Sequence, residues 1–194
     1  MIDGSNLLAQ LDACGLSYPA LSPLVQQLVG ADDLVFARFY SAPQIAEPYR
    51  SRWQAFQSAN RHVQGLQWFQ GYRNQDNAEK TIDVALAVDL VYGCSHNHFD
   101  RVAVIGGDSD HYYAINVAHA SGREIRVFLM PNQPSTELKG ANIRFSYLEV
   151  RNLLAWGVCD RGAQQGVPVA HRAPSGSPDL TVRFKGPMAQ QITP

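Results

Sequence analysis

Hydrophobic and polar positions follow two rhythms along this chain. Short runs rich in β-branched and aromatic residues read as strands: "DLVFARFY" over 33–40, "RVAVIGG" over 101–107 and "EIRVFLM" over 124–130. A shorter strand starts at Ile2, and "IRFSYL" over 143–148 has the same character. Between them, "PALSPLVQQLVG", "EPYRSRWQAFQSANR", "TIDVALAVDLVYG" and "SDHYYAINVAHASG" carry apolar residues at helical spacing, and three of the four close in or near a glycine. Strands alternating with helices predict an α/β fold, a three-layer sandwich whose central, mostly parallel sheet is covered by helices on both faces. No internal repeat interrupts this order.

The pattern changes towards the C-terminus. Residues 158–194 hold five prolines and four glycines, and only "LTVRFKG" has the composition of an ordered segment. The expected organisation is therefore one domain over 1–157 and a Pro/Gly-rich tail over 158–194, flexible or ordered by a partner. A length of 194 residues with 45% hydrophobic content suits one buried core and is short for two. Sixteen basic against seventeen acidic residues leave a net charge of −1, so a nucleic-acid partner has to be held by a local basic patch. Cys14, Cys94 and Cys159 are widely spaced and form no CxxC pair, which points away from a zinc site or a disulfide framework. No apolar run approaches the roughly 20 residues of a membrane span, and no charged-then-apolar leader is present. A cytoplasmic protein without a membrane partner is expected.

Candidate chemistry lies where strands run out. In open α/β sheets, ligands bind outside the carboxyl ends of the strands. Asp3 in "IDGSN" follows the first strand, and Asp108 follows "VAVIGG", with Asp110 in the first turn of the next helix. Gly106 and Gly107 allow a sharp turn there. "DGSN" equally suits a turn or a helix N-terminus. From Ile82 to Val91 every residue except Asp83 and Asp89 is apolar, which predicts a helix buried nearly all round. A carboxylate on such a helix needs a partner, a proton or a metal. Asp83, in the first turn, also gains from the helix dipole. Asp89 stands about 240° away around the helix, so it is expected to point elsewhere and make a structural hydrogen bond or salt bridge.

Gathering Asp3, Asp83, Asp108 and Asp110 is unfavourable by itself, at about 4 kcal/mol per pair at 4 Å and an effective dielectric near 20. Without metal, raised carboxylate pKa values follow. A divalent cation reverses the sign, and oxygen-only ligands suit Mg²⁺ or Mn²⁺. With no Ser, Cys or His placed as a covalent nucleophile, water is the expected attacker on a phosphodiester.

"IDGSN" at 2–6, "KTIDVALAVDLV" at 80–91 and "VAVIGGDSDHY" at 102–112 together resemble the three signature blocks of the NYN domain, in its LabA-like (DUF88) branch, within the PIN-like superfamily of metal-dependent ribonucleases. The resemblance covers roughly residues 1–150. It implies a Rossmann-like sandwich with an acidic Mg²⁺ or Mn²⁺ pocket, and RNA as substrate and partner. The first acidic ligand falls on Asp3, the neighbouring polar position on Asn6, the helix acid on Asp83 and the strand-end pair on Asp108 and Asp110. The four aspartates are thus the expected catalytic and metal-binding residues, with Asn6 and Lys80 as substrate contacts; a homodimer is compatible with this picture. Two departures stand out. Lys80-Thr81-Ile82-Asp83 replaces a common Lys-Gly-Val-Asp, and His111-Tyr112 follows the last acid where an aromatic usually comes at once, so the pocket wall differs there.

Two other readings compete. A non-catalytic RNA-binding or regulatory module would keep the fold, although a scaffold has no need of four repelling acids. A haloacid dehalogenase-like phosphatase would explain "DSD", but it needs Thr or Val where Tyr112 stands and leaves Asp3 and Asp83 without a role. "SHNHF" at 95–99 reads as a polar loop. For RNA, the local cations are Arg50, Arg52, Arg61, Arg73 and Lys80. Trp53, Phe56, Trp68, Phe69 and Tyr72 are core residues by default, and any exposed one among them is a stacking surface for unpaired bases.

Overall fold

The structure is a computed structural model that describes residues 1–75, 78–131 and 144–161. Its elements run β1 (Ile2–Asp3), α1 (Gly4–Ala13), α2 (Leu21–Val29), β2 (Ala37–Ser41), α3 (Tyr49–Asn60), β3 (Leu66–Gln70), β4 (Tyr72–Arg73), β5 (Glu79–Lys80) and α4 (Ile82–Ser95). There follow β6 (Arg101–Ile105), a 3-10 turn at Ser109–His111, α5 (Tyr112–Ala120), β7 (Glu124–Leu129), β8 (Arg144–Tyr147) and α6 (Val150–Ala155). Six strands form one sheet in the order β3-β2-β1-β6-β7-β8, and every pairing in it is parallel. The short β4 and β5 make a separate antiparallel hairpin.

Neighbouring residues of the central strands feed two different cores, which is why these strands are apolar in both phases. Phe39 packs with Leu7, Leu11, Leu21, Leu24, Trp53, Phe56 and Leu153 under α1, α2, α3 and α6. Tyr40, next along β2, packs with Leu86, Leu90, Ile115 and Val127 under α4 and α5. Helices therefore cover both faces, as the alternation of elements predicts. Phe39, Trp53, Phe56 and Trp68 contact one another with ring centroids 5.1–6.1 Å apart. Phe69 lies against Tyr40.

Several boundaries differ from the sequence reading. β2 begins at Ala37, and Leu34 and Val35 ahead of it are exposed. More consequentially, α4 is not buried all round: Ile82, Leu86, Leu90, Gly93 and Cys94 face inwards, whereas Val84, Val88 and Tyr92 are 54–68% exposed. Uniform hydrophobicity hides the direction of the core, because it supplies no polar stripe to mark the outer face. α5, packed against α4, also leaves Tyr113 and Val117 exposed.

Packing continues through the start of the segment expected to be tail. Val158 and Cys159 are buried in the first core, Ala20 donates to the Val158 carbonyl at 2.7 Å, and Ser17 and Asp160 exchange two hydrogen bonds. Residues 162–194, with "LTVRFKG", lie outside the described residues.

Candidate metal centre at the carboxyl edge of the sheet

β1 sits between β2 and β6, with Ile2 paired to both Phe39 and Ile105. Strand order reverses direction here, so the crevice beyond β1 and β6 is the switch point at which α/β sheets bind ligands. Asp3 and Asp108 follow these two strands, on the same edge.

Asp3 ends β1 and also caps α1. Its Oδ1 accepts the Asn6 backbone N–H at 3.0 Å, so the capping role inherent in "DGSN" is real. The cap uses one oxygen only. Oδ2 faces His111 Nε2 at 3.3 Å, with both side chains almost fully buried. Gly4 lets α1 start directly against β2, where a Cβ would come within 2.0 Å of the Phe39 ring. Gly106 is required for two reasons: its φ of 154° disfavours other residues, and a Cβ there would lie 2.8 Å from Asp3 Cβ. Asn6 Oδ1 accepts the Gly107 N–H at 3.4 Å, tying the first loop to the loop after β6.

Asp108 repeats the arrangement of Asp3. It caps the 3-10 turn through Oδ1, which accepts the Asp110 N–H at 3.0 Å. That turn brings His111 inwards, while Asp110 stays exposed. Asp83, in the first turn of α4, has Oδ1 3.8 Å from His111 Nε2 and a side chain 54% exposed. The site therefore has a buried floor of Asp3 and His111 and a rim carrying Asp83.

Electrostatics follow from this packing. Burial raises the pKa of Asp83, the charges of Asp3, Asp108 and Asp110 raise it further, and His111 opposes them. For His111, burial works to lower the pKa, but the hydrogen bond to Asp3 and the charges of Asp3, Asp83 and Asp108 carry it above the ordinary histidine value. Asp3, Asp108 and Asp110 thus all act on Asp83, and among the described residues no Lys or Arg forms an ion pair with the four acids.

Among the described residues, the group whose donor atoms lie within 4.8 Å of one another is Asp3, Asp83 and His111. Asp108 and Asp110 stand outside it, beside the site. His111 is the residue that sequence reasoning missed as a donor; its signal was the departure after "GDSD", which marks the pocket wall but gives no side-chain direction. Two carboxylate oxygens and an imidazole nitrogen, with no Lys or Arg paired to them among the described residues, suit a divalent metal ion that displaces the imidazole proton on binding.

Asp89 points elsewhere, as its angle around the helix predicts. It pairs with Arg38 and accepts the Tyr40 hydroxyl at 2.8 Å. Arg50, Arg52 and Arg73 are held by Glu47, Asp12 and Glu79, and Arg61 by His62. Lys80 is exposed and forms no ion pair among the described residues. It pairs in register with Tyr72, which is 58% exposed, while Trp53 and Phe56 are buried. A cavity of about 490 Å³ lies at the opposite, amino edge of the sheet, between Met1, Ala37, Phe99 and Arg101, and has no part in the acidic site.

A solved structure of a protein of unknown function from Vibrio parahaemolyticus has the same fold, with a TM-score of 0.60 at 18% identity over 76% of this chain and 89% of that one. Among curated proteins none matches significantly. The NYN domain model matches residues 1–149, most of the chain and every residue of the acidic site. With that match over more than half of its length, the chain belongs to the NYN domain family.

Proposed function

We propose that the chain is a ribonuclease of the LabA-like branch that hydrolyses RNA phosphodiester bonds with Mg²⁺ or Mn²⁺. The observation that carries this reading is the gathering of Asp3, Asp83 and His111 donor atoms within 4.8 Å at the switch point of a NYN fold. When bound, a divalent cation supplies Lewis acidity at the scissile phosphate and neutralises charge there. The protein's own groups do the rest. Asp3 is held rigid by its cap on Asn6 and by the close approach of Gly106, so one oxygen is fixed towards the site. Asp83, half exposed at the rim, is the carboxylate that meets both cation and substrate. Asp108 and Asp110 accept hydrogen bonds from the attacking water and orient it, with Asp108 or Asp110 taking its proton. Asn6 orients Asp3 through its backbone N–H and ties the loop after β6 to it through Oδ1.

Substrate contacts fall to the β4–β5 hairpin, which leads directly into Asp83. Lys80 offers a free cation for a phosphate, and exposed Tyr72 offers a face for an unpaired base. A homodimer would use the exposed apolar stripe of α4 and α5. The rival reading, a regulatory RNA-binding module, has no observation favouring it over the nuclease.

Asp108→Asn keeps shape and removes charge, so folding should survive while cleavage of single-stranded RNA falls at least about 100-fold. EDTA should abolish cleavage by the parent, and Mn²⁺ or Mg²⁺ should restore it. Cleavage that survives EDTA, or an Asp108→Asn variant as fast as the parent, sinks the mechanism.

A further inference from the structure

We propose that His111 is a nitrogen ligand of the cation held by Asp3 and Asp83, and that it shifts the preference of the site from Mg²⁺ towards Mn²⁺. This inference rests on the metal-dependent reading above and adds a residue to it that lies outside the four aspartates.

Three observations converge on it. The first is spacing. Two ligands bound at about 2.1 Å to one ion stand roughly 3–4.2 Å apart, and His111 Nε2 lies 3.3 Å from Asp3 Oδ2 and 3.8 Å from Asp83 Oδ1. A charge-assisted N–H···O pair would close to about 2.7–2.9 Å. The imidazole therefore stands between two carboxylates at the separation of ligands around an ion, and locks tightly onto neither.

The second is burial without satisfaction. The His111 side chain is 1% exposed, and its Nδ1 has no hydrogen-bond partner among the described residues. An orphaned buried polar atom costs about 1–3 kcal/mol. Packing alone does not account for that, since Phe fills a similar volume without the penalty. Among the described residues, the carboxylates paired with the ring are the two on its Nε2 side.

The third is the donor set. Asp108 and Asp110, expected as oxygen ligands, are not in the close group, and His111 stands in their place. Mg²⁺ favours oxygen ligands in near-ideal octahedral geometry, whereas transition ions accept imidazole readily. Exchanging an oxygen for a nitrogen donor weakens the case for Mg²⁺ and strengthens it for Mn²⁺.

The test is made on the full chain without RNA. Pulsed EPR of the Mn²⁺ complex should show nitrogen-14 modulation from a directly bound imidazole, and His111→Phe should abolish it. By equilibrium dialysis, His111→Phe should weaken Mn²⁺ binding about tenfold or more and leave Mg²⁺ binding within about threefold. The parent spectrum decides the matter even if the variant folds poorly. Bound Mn²⁺ with no nitrogen modulation, or an equal loss of both metals in His111→Phe, overturns the proposal while leaving EDTA-sensitive cleavage intact. Failure of the parent to bind any divalent ion overturns both this proposal and the ribonuclease reading.

Discussion

Thr81, at φ 72°, is a β-branched residue in left-handed backbone immediately before the helix that carries Asp83. L-residues with a Cβ pay about 1–2 kcal/mol there, and the hydrogen bond from Thr81 Oγ1 to the Lys80 carbonyl at 2.5 Å offsets only part of it. The resemblance to Lys-Gly-Val-Asp thus has a physical content: the position asks for glycine. Thr81→Gly should stabilise the chain by about 0.5 kcal/mol after the lost hydrogen bond and the extra chain entropy of glycine are counted. Urea unfolding reads this as a higher midpoint, and a midpoint unchanged or lowered contradicts it. Individual acids were legible to different depths. The angle between Asp83 and Asp89 separates their roles from sequence alone. The inward turn of His111 does not follow from sequence, because it depends on a 3-10 turn inserted between β6 and α5.

At the scale of elements, Asp89 fastens α4 to β2 through Arg38 and the Tyr40 hydroxyl. Asp89→Ala leaves that hydroxyl unpaired in a largely buried place, so stability should fall by about 1–3 kcal/mol, with RNA cleavage per folded molecule unchanged. Equal loss of cleavage would move Asp89 into the site and break the division between the two helix acids. Of the strands that carry the site, β6 was readable because a parallel central strand is apolar in both phases, whereas β1, only Ile2–Asp3, showed as an apolar residue running into "DGSN". β3 was not readable, since an edge strand with Gln67 and Gln70 among its residues shows a diluted pattern. α1 was hidden by its own cap, as "DGSN" signals a turn as strongly as a helix start. The two-residue strands of the β4–β5 hairpin are too short for any period to register.

Over the whole molecule, the alternation of strands and helices was enough to give a covered parallel sheet, and the sheet order gave the crevice its place. Where the packed unit ends was less legible, because a Pro/Gly-rich composition begins just beyond residues that are still in the core. Burial pushes the Cys159 thiol up to about 12, from 9.0, with Asp160 adding to the shift. The folded state therefore keeps a proton that the unfolded chain releases, so this contribution is intact below pH 9 and is lost as pH rises from about 9 to about 12. At pH 10.5 the loss should be about 2 kcal/mol relative to pH 8, and Cys159→Ala should remove that part of the slope in paired urea titrations. An identical slope in parent and variant contradicts the burial of this segment. The central claim is that the switch-point crevice is a metal centre, and anomalous diffraction from Mn²⁺-soaked crystals tests it most directly. The account predicts a strong peak between Asp3, Asp83 and His111, lost in Asp3→Asn; no peak there at millimolar Mn²⁺, or one only at the opposite edge of the sheet, would contradict it.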